Sequence, residues 1–271
     1  MLLPLRNYLP FSRLPIVTLA LIGLNVLLFV VGLGQTPLQG APASVAKQDV
    51  WVYEWGTIPC ELLERCSNQT GRALATHNDP VVAKVMGGGR TVEIAVPARN
   101  PWLTLLASAF IHGSLLHLAF NMLFLWVFGG SIEDAMSRWS YLSFYLCGAI
   151  VAGLCQSLVS PNSTIPQIGA SGAIAALIGG YLLLYPRTKV LTVLIIPIIV
   201  TLPAWVVAGG WGIVQFIATW QSLFVPGAGN NGIAYVAHLA GFLYGIAVVR
   251  LIAIPNPIYE QLYHAEGMDL S

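Results

Sequence analysis

The sequence predicts an all-α, polytopic membrane protein: a bundle of six transmembrane helices with a long extracytoplasmic loop after the first. Two observations carry this. Only 12 Lys+Arg and 11 Asp+Glu occur among 271 residues, so 8% of the chain is charged, against about 25% in soluble domains. Hydrophobic residues make up 56%, and the mean hydropathy is +0.75. A soluble domain of this composition has too little polar surface to cover itself, and a disordered chain needs the opposite balance. The net charge of +1 offers no clustered basic face for nucleic acid, so none is expected as a partner. The lipid bilayer is.

Taken in order, the apolar runs free of Asp, Glu, Lys and Arg are 15–33, 115–130 with an apolar approach from Trp102, 139–159, 168–185, 190–225 and 233–249. A crossing needs roughly 20 such residues. The run 190–225 is long for one crossing and short for two with a turn. Charge decides. Outside 34–100 the basic residues are Arg6, Arg13, Arg138, Arg187, Lys189 and Arg250. If 190–225 crosses once, all six fall on one side, which the positive-inside rule makes cytoplasmic.

Six spans with both termini in the cytoplasm follow, and a bacterial inner membrane is the expected location. The surplus at 209–225, with Trp211, Phe216, Trp220 and Phe224, reads as a tilted helix end or an interfacial segment. A signal peptide is the competing reading of the first span, because Arg6 and Arg13 precede it and small residues follow at 41–46. The run 15–33 exceeds the roughly 7–15 residues of such a peptide. The expected divisions are a cytoplasmic N-terminus 1–14, a first span 15–33, a loop insertion 34–100, a core 101–254 holding spans two to six, and a cytoplasmic tail 255–271.

The loop 34–100 carries six Lys/Arg and six Asp/Glu and faces outward in this topology. Cys60 and Cys66 lie close enough there for a small disulfide in an oxidising compartment, whereas Cys147 and Cys155 fall within a span and read as packing residues. His77 has no ligand-spaced partner, so no metal is expected. Asn68-Gln-Thr70 and Asn162-Ser-Thr164 match the short glycosylation pattern, which has meaning only in a eukaryote.

Polar groups in a bilayer are costly and mark functional sites. Within or beside the runs stand His112, His117, Asn121, Ser171 and His238. At about 1.5 Å rise per residue, Asn121, Ser171 and His238 lie roughly 5–10 Å below the outer interface. His117 and Asn121, four apart, share a helix face. Each alone reads as interhelical hydrogen-bonding glue; the common depth is what points to a site. Small residues show how two of them meet. Ser171, Ala175 and Gly179, beside Gly172, Ala176 and Gly180, form stripes that match Ala234, His238, Gly241 and Gly245 on the sixth span, and such faces let backbones approach.

A serine hydroxyl becomes a nucleophile when a positioned imidazole takes its proton. His238 is the candidate base for Ser171. The nearest acids, Glu133 and Asp134, sit at the cytoplasmic side, so the expectation is a Ser–His dyad and no triad. Asn121 and His117 can donate to an oxyanion, as can the free N–H groups in the first turn of a helix starting near Ser171.

These residues, in this order, resemble the rhomboid family of intramembrane serine proteases. The matching stretches are Phe110-Ile-His112-Gly-Ser-Leu-Leu-His117-Leu-Ala-Phe-Asn121-Met122, Phe128-Gly-Gly-Ser-Ile-Glu133, Gly169-Ala-Ser171-Gly172 and Ala237-His238-Leu-Ala-Gly241. The resemblance implies a rhomboid-like bundle with Ser171 as nucleophile, His238 as general base and His117 and Asn121 at the oxyanion. It places His112 near the entrance and requires no cofactor. Ala175 stands where some members carry an aromatic residue that stacks on the histidine.

The resemblance also implies a substrate: a transmembrane segment of another membrane protein, cut near the extracytoplasmic face after local unwinding. Helix-breaking residues should favour the cut. Gln167, Ser163, Thr164 and Ser114 can hold the water it needs. The glycine-rich connection 226–232 reads as a cap over the site, and the fifth helix as a lateral gate. The alternatives are a catalytically silent rhomboid-like binding factor and a six-helix transporter. The latter would spread polar residues through the full thickness.

Overall fold

The structure is a computed structural model that describes residues 3–34, 47–66, 81–87, 90–96, 99–195, 197–225 and 234–254. Strand β1 (Leu3–Asn7) leads into α1 (Ile16–Leu33). Helices α2 (Lys47–Trp55) and α3 (Pro59–Leu62) and the hairpin β2 (Val81–Gly87) and β3 (Arg90–Val96) follow. Helix α4 (Pro101–Ala107) ends in a 3₁₀ turn, Ser108–Phe110. The next span runs through α5 (Leu115–Phe124), a π-helical turn Leu125–Gly129 and α6 (Gly130–Asp134). Then come α7 (Arg138–Val159), α8 (Ser171–Leu184), β4 (Lys189–Ile195), β5 (Ile198–Pro203), α9 (Ala204–Phe224) and α10 (Tyr235–Ile252).

Four of these are long and apolar enough to cross a membrane: Ile16–Leu33, Leu115–Asp134, Arg138–Val159 and Tyr235–Ile252. Helix α8 is shorter, at 14 residues. Helix α9 has 21 residues, but Gln215, Gln221 and three tryptophans lower its hydropathy. The outward faces are apolar, with Leu27 and Val30 on α1 and Ile213, Phe216 and Trp220 on α9 all exposed, as lipid requires.

Helix α8 is the centre. Every residue from Gly172 to Tyr181 is buried, so it is covered on all sides, as a helix apolar all round must be. Its contact with α10 is backbone to backbone. A Cβ at Gly179 would stand 2.1 Å from the Phe242 carbonyl oxygen, one at Gly241 2.2 Å from that of Gly172, and one at Gly245 2.0 Å from that of Ala176. The small-residue stripes therefore set the register of these two helices.

The run 190–225 differs from its expected form. It contains a single helix, but the surplus lies before that helix and not at its C-terminal end: 190–203 forms the hairpin of β4 and β5, and 209–225 continues α9 to Phe224. The strands are rich in Val, Ile and Thr, which favour extended backbone, and Pro197 and Pro203 interrupt helix formation. Strand β4 pairs with β5 (Val190↔Leu202) and with β1 (Asn7↔Val190), giving a three-stranded antiparallel sheet.

Glu133 is buried and anchors the other end of the 115–134 span. Its carboxylate accepts from the N–H groups of Val17 and Thr18 at 2.9 and 2.7 Å and from the Thr18 hydroxyl at 2.8 Å. It thus caps α1, whose own N-cap residue is Pro15 with no side-chain bond, and negative charge is favoured at that terminus. Asp134 accepts from Ser12 and pairs with Arg13 beside it.

Part of 34–100 is ordered against the core. Cys60 and Cys66 form a disulfide, while Cys147 and Cys155 are free thiols on α7, Cys147 on an exposed part of the helix beside Tyr244 of α10. Thr57 and Gln167 exchange both backbone bonds, at 3.0 and 2.8 Å, and the Cys60 N–H donates to the Ser163 carbonyl at 3.1 Å. The loop thereby holds the chain that leads to Ser171. His77, the Asn68 glycosylation pattern and the cap at 226–232 lie outside the described residues.

Candidate active site

Ser171 opens α8 with no side-chain cap, so the first-turn N–H groups have no partner within the helix. Two residues earlier, Gly169 takes φ +107°, a left-handed conformation that side chains resist. Its N–H donates to the Ser108 carbonyl at 2.8 Å. A Cβ there would also stand 2.7 Å from Cε1 and Nε2 of His117 and 3.8 Å from Nδ2 of Asn121. The glycine therefore serves twice, turning the chain into the helix and admitting the side chains of α5 beside it.

Ser171 Oγ lies 2.8 Å from Nε2 of His238 on α10, a hydrogen-bonding distance. The other ring nitrogen, Nδ1, lies 3.0 Å from Oε1 of Gln215 on α9. Trp211 and Tyr235 flank the imidazole, with ring centroids 6.0 and 6.5 Å away. The histidine thus has aromatic neighbours although position 175 is alanine. They come from α9 and from the start of α10.

His117 and Asn121 share the expected face of α5, and the Asn121 amide donates to the His117 carbonyl at 2.9 Å. The Ser114 hydroxyl accepts the His117 N–H at 3.1 Å, starting the helix at a fixed point. His112 is 1% exposed, and its ring meets that of His117 edge-on with centroids 5.0 Å apart. Burial first, and His117 second, lower the His112 pKa to about 3, so its imidazole is neutral near pH 7.

Gln167 bonds through its amide to the Ser157 hydroxyl at 3.0 Å. With Ser108, Gly153 and Ser171 it lines a cavity of about 40 Å³. A water needs roughly 10–15 Å³ of such space and a few polar partners, so the cavity is large enough for water beside Ser171. Neither Ser163 nor Thr164 lines it; Ser163 serves the loop contact with Cys60.

Sequence reasoning missed Gln215 and the ring contacts of Trp211 and Tyr235. Gln215 was legible as a strongly polar residue within an apolar run, the same signal that marks Asn121. Which way it faces follows from the rotation of α9.

The fold and site define a polytopic helical membrane protein with a Ser–His pair at the start of its innermost helix. Residues 99–254 match the Rhomboid domain, more than half of the chain, and the chain belongs to the rhomboid family. It is 32% identical over 152 residues to Rhomboid protein 1, mitochondrial, of Saccharomyces cerevisiae, covering 53% of this chain and 40% of that protein. It is 28% identical over 164 residues to Rhomboid-like protein 11, chloroplastic, of Arabidopsis thaliana, covering 59% and 56%. It is 34% identical over 90 residues to Rhomboid protease GluP of Bacillus subtilis, covering 33% and 17%. The matches thus span about half or less of these relatives.

Proposed function

We propose that the chain is an intramembrane serine endopeptidase that cuts transmembrane segments of other membrane proteins near the extracytoplasmic face. The observation that carries this is the 2.8 Å approach of Ser171 Oγ to His238 Nε2 at the mouth of a buried helix. Membership of a family that includes a named protease supports it.

In the proposed reaction His238 Nε2 takes the hydroxyl proton as Ser171 Oγ attacks the scissile carbonyl carbon. The electron pair moves to the carbonyl oxygen, where the first-turn N–H groups of α8, with His117 and Asn121, stabilise the oxyanion. As that oxyanion collapses, the C–N bond breaks and His238 returns the proton to the leaving amine, leaving an ester on Ser171. A water then repeats the sequence and releases the acid. Gln167 stands where it can bind that water, and His112 packs behind His117.

The proposed topology counts α1, the 115–134 span, α7, α8, α9 and α10 as six crossings with both termini cytoplasmic, in a bacterial inner membrane. The segregated basic residues support the orientation, and one relative is bacterial. Helix α9, with Phe216, Trp220 and Phe224 facing outward, is the proposed lateral entry.

A fluorophosphonate probe tests the nucleophile. The expected result is a stable adduct on Ser171 that is lost in His238→Ala. An adduct elsewhere would contradict the assignment.

A further inference from the structure

A histidine can accept a proton at Nε2 only in the tautomer that carries its own proton on Nδ1, and that tautomer is selected by whatever accepts the Nδ1–H. In Ser–His–Asp sites a carboxylate does so. Here Glu133 and Asp134 lie at the far end of the 115–134 span from His117, engaged with Val17, Thr18, Ser12 and Arg13. The group that faces Nδ1 is the Gln215 side chain, with Oε1 at 3.0 Å.

We infer that Gln215 is a positioning residue: its amide oxygen accepts the Nδ1 proton of His238, fixes the tautomer whose Nε2 lone pair faces Ser171, and ties the base to the seating of α9. The inference rests on the protease reading given above.

Three features support it. Gln215 is only 6% exposed, so its amide has lost most of its solvent and gains from a bonded partner. Trp211, one turn earlier on the same helix, has its ring centroid 6.0 Å from that of the imidazole at a tilt of 40°, so two side chains of α9 neighbour His238. Gly212 brings α9 close to α10, since a Cβ there would stand 2.7 Å from the Phe242 ring. A neutral acceptor also orients the ring without the cost of a buried charge. Because Gln215 belongs to the proposed entry helix, outward movement of α9 would separate Oε1 from Nδ1 and leave the base unoriented until the helix closes again.

The test uses the full chain in lipid nanodiscs with ¹⁵N-labelled histidine. In the wild type His238 should show a protonated Nδ1 and an unprotonated Nε2. A proton resident on Nε2 overturns the inference, and this reading needs no variant to fold. Gln215→Leu should lower kcat for a single-span substrate about tenfold, the worth of one net hydrogen bond, with KM changed less than twofold. Gln215→Glu, which retains an acceptor oxygen, should stay within about threefold of wild type on the same reasoning. A folded Gln215→Leu protein with wild-type kcat contradicts the inference. The protease reading fails separately, if Ser171→Ala cleaves like wild type, and the tautomer measurement then still reports on Gln215 and His238.

Discussion

Gly169 and His117 occupy one space: a Cβ on the glycine would stand 2.7 Å from Cε1 and Nε2 of the imidazole, and the glycine's φ of +107° keeps it turned toward α5. Gly169→Ala should therefore strain the backbone by about 1–3 kcal/mol and push His117 away from the start of α8. The expected outcome is a fall in kcat of at least about tenfold, measured on a single-span substrate, while thermal stability drops modestly.

The α8–α10 contact has no slack. Gly245→Ala would bring a Cβ to 2.0 Å from the Ala176 carbonyl oxygen, and two backbones must separate to admit it. A loss of about 1–3 kcal/mol, the usual cost of overpacking, is expected in thermal unfolding in detergent. Gly23→Ala on α1, where nothing lies within 4 Å, is the matched control and should be neutral or slightly stabilising.

Glu133 separates stability from activity. Glu133→Ala leaves the Val17 and Thr18 N–H groups without the carboxylate that accepts from both, while the Thr18 hydroxyl keeps the Tyr141 hydroxyl as a partner at 2.9 Å. About 2–3 kcal/mol should be lost. Since this carboxylate caps α1 far from Ser171, kcat at a temperature where the variant is folded should match wild type. A large fall in kcat at full folding would mean that the two ends of the span are coupled.

His112 supplies a pH signature. Its folded pKa, about 3, lies below the ordinary 6.5 because burial disfavours the charged ring. Between those values the unfolded chain binds the extra proton and the folded chain does not, so stability is full above about pH 6.5 and declines as pH falls toward 3. His112→Leu should show a shallower decline over that window in thermal melts, whatever its stability at pH 7.

Much of this was legible in the residues because membranes punish charge and reward close packing. The ends of α1, α7 and α10 fall within three residues of the apolar runs, and the glycine and alanine stripes anticipate the contact of α8 with α10 that brings Ser171 to His238. Hydropathy was blind to the difference between a buried helix and an apolar strand. The run Val190–Pro203 is as apolar as a span, yet its β-branched residues and Pro197 make a hairpin that pairs with β1. Pairing with a strand nearly 190 residues away is a long-range property that no local pattern carries. The Gln215 contact was hidden for a related reason: the expectation of a dyad follows from the absence of acids in the apolar runs, but the neutral partner at Nδ1 depends on how α9 is rotated against α10.

The central claim is that Ser171 and His238 together cut peptide bonds within the membrane. Cleavage of a single-span reporter by the purified full chain in liposomes tests it most directly, comparing wild type with Ser171→Ala and His238→Ala. The expected result is a product cut near the extracytoplasmic end of the reporter span, formed by wild type and reduced to background in both variants. Undiminished cleavage by either variant would contradict the claim.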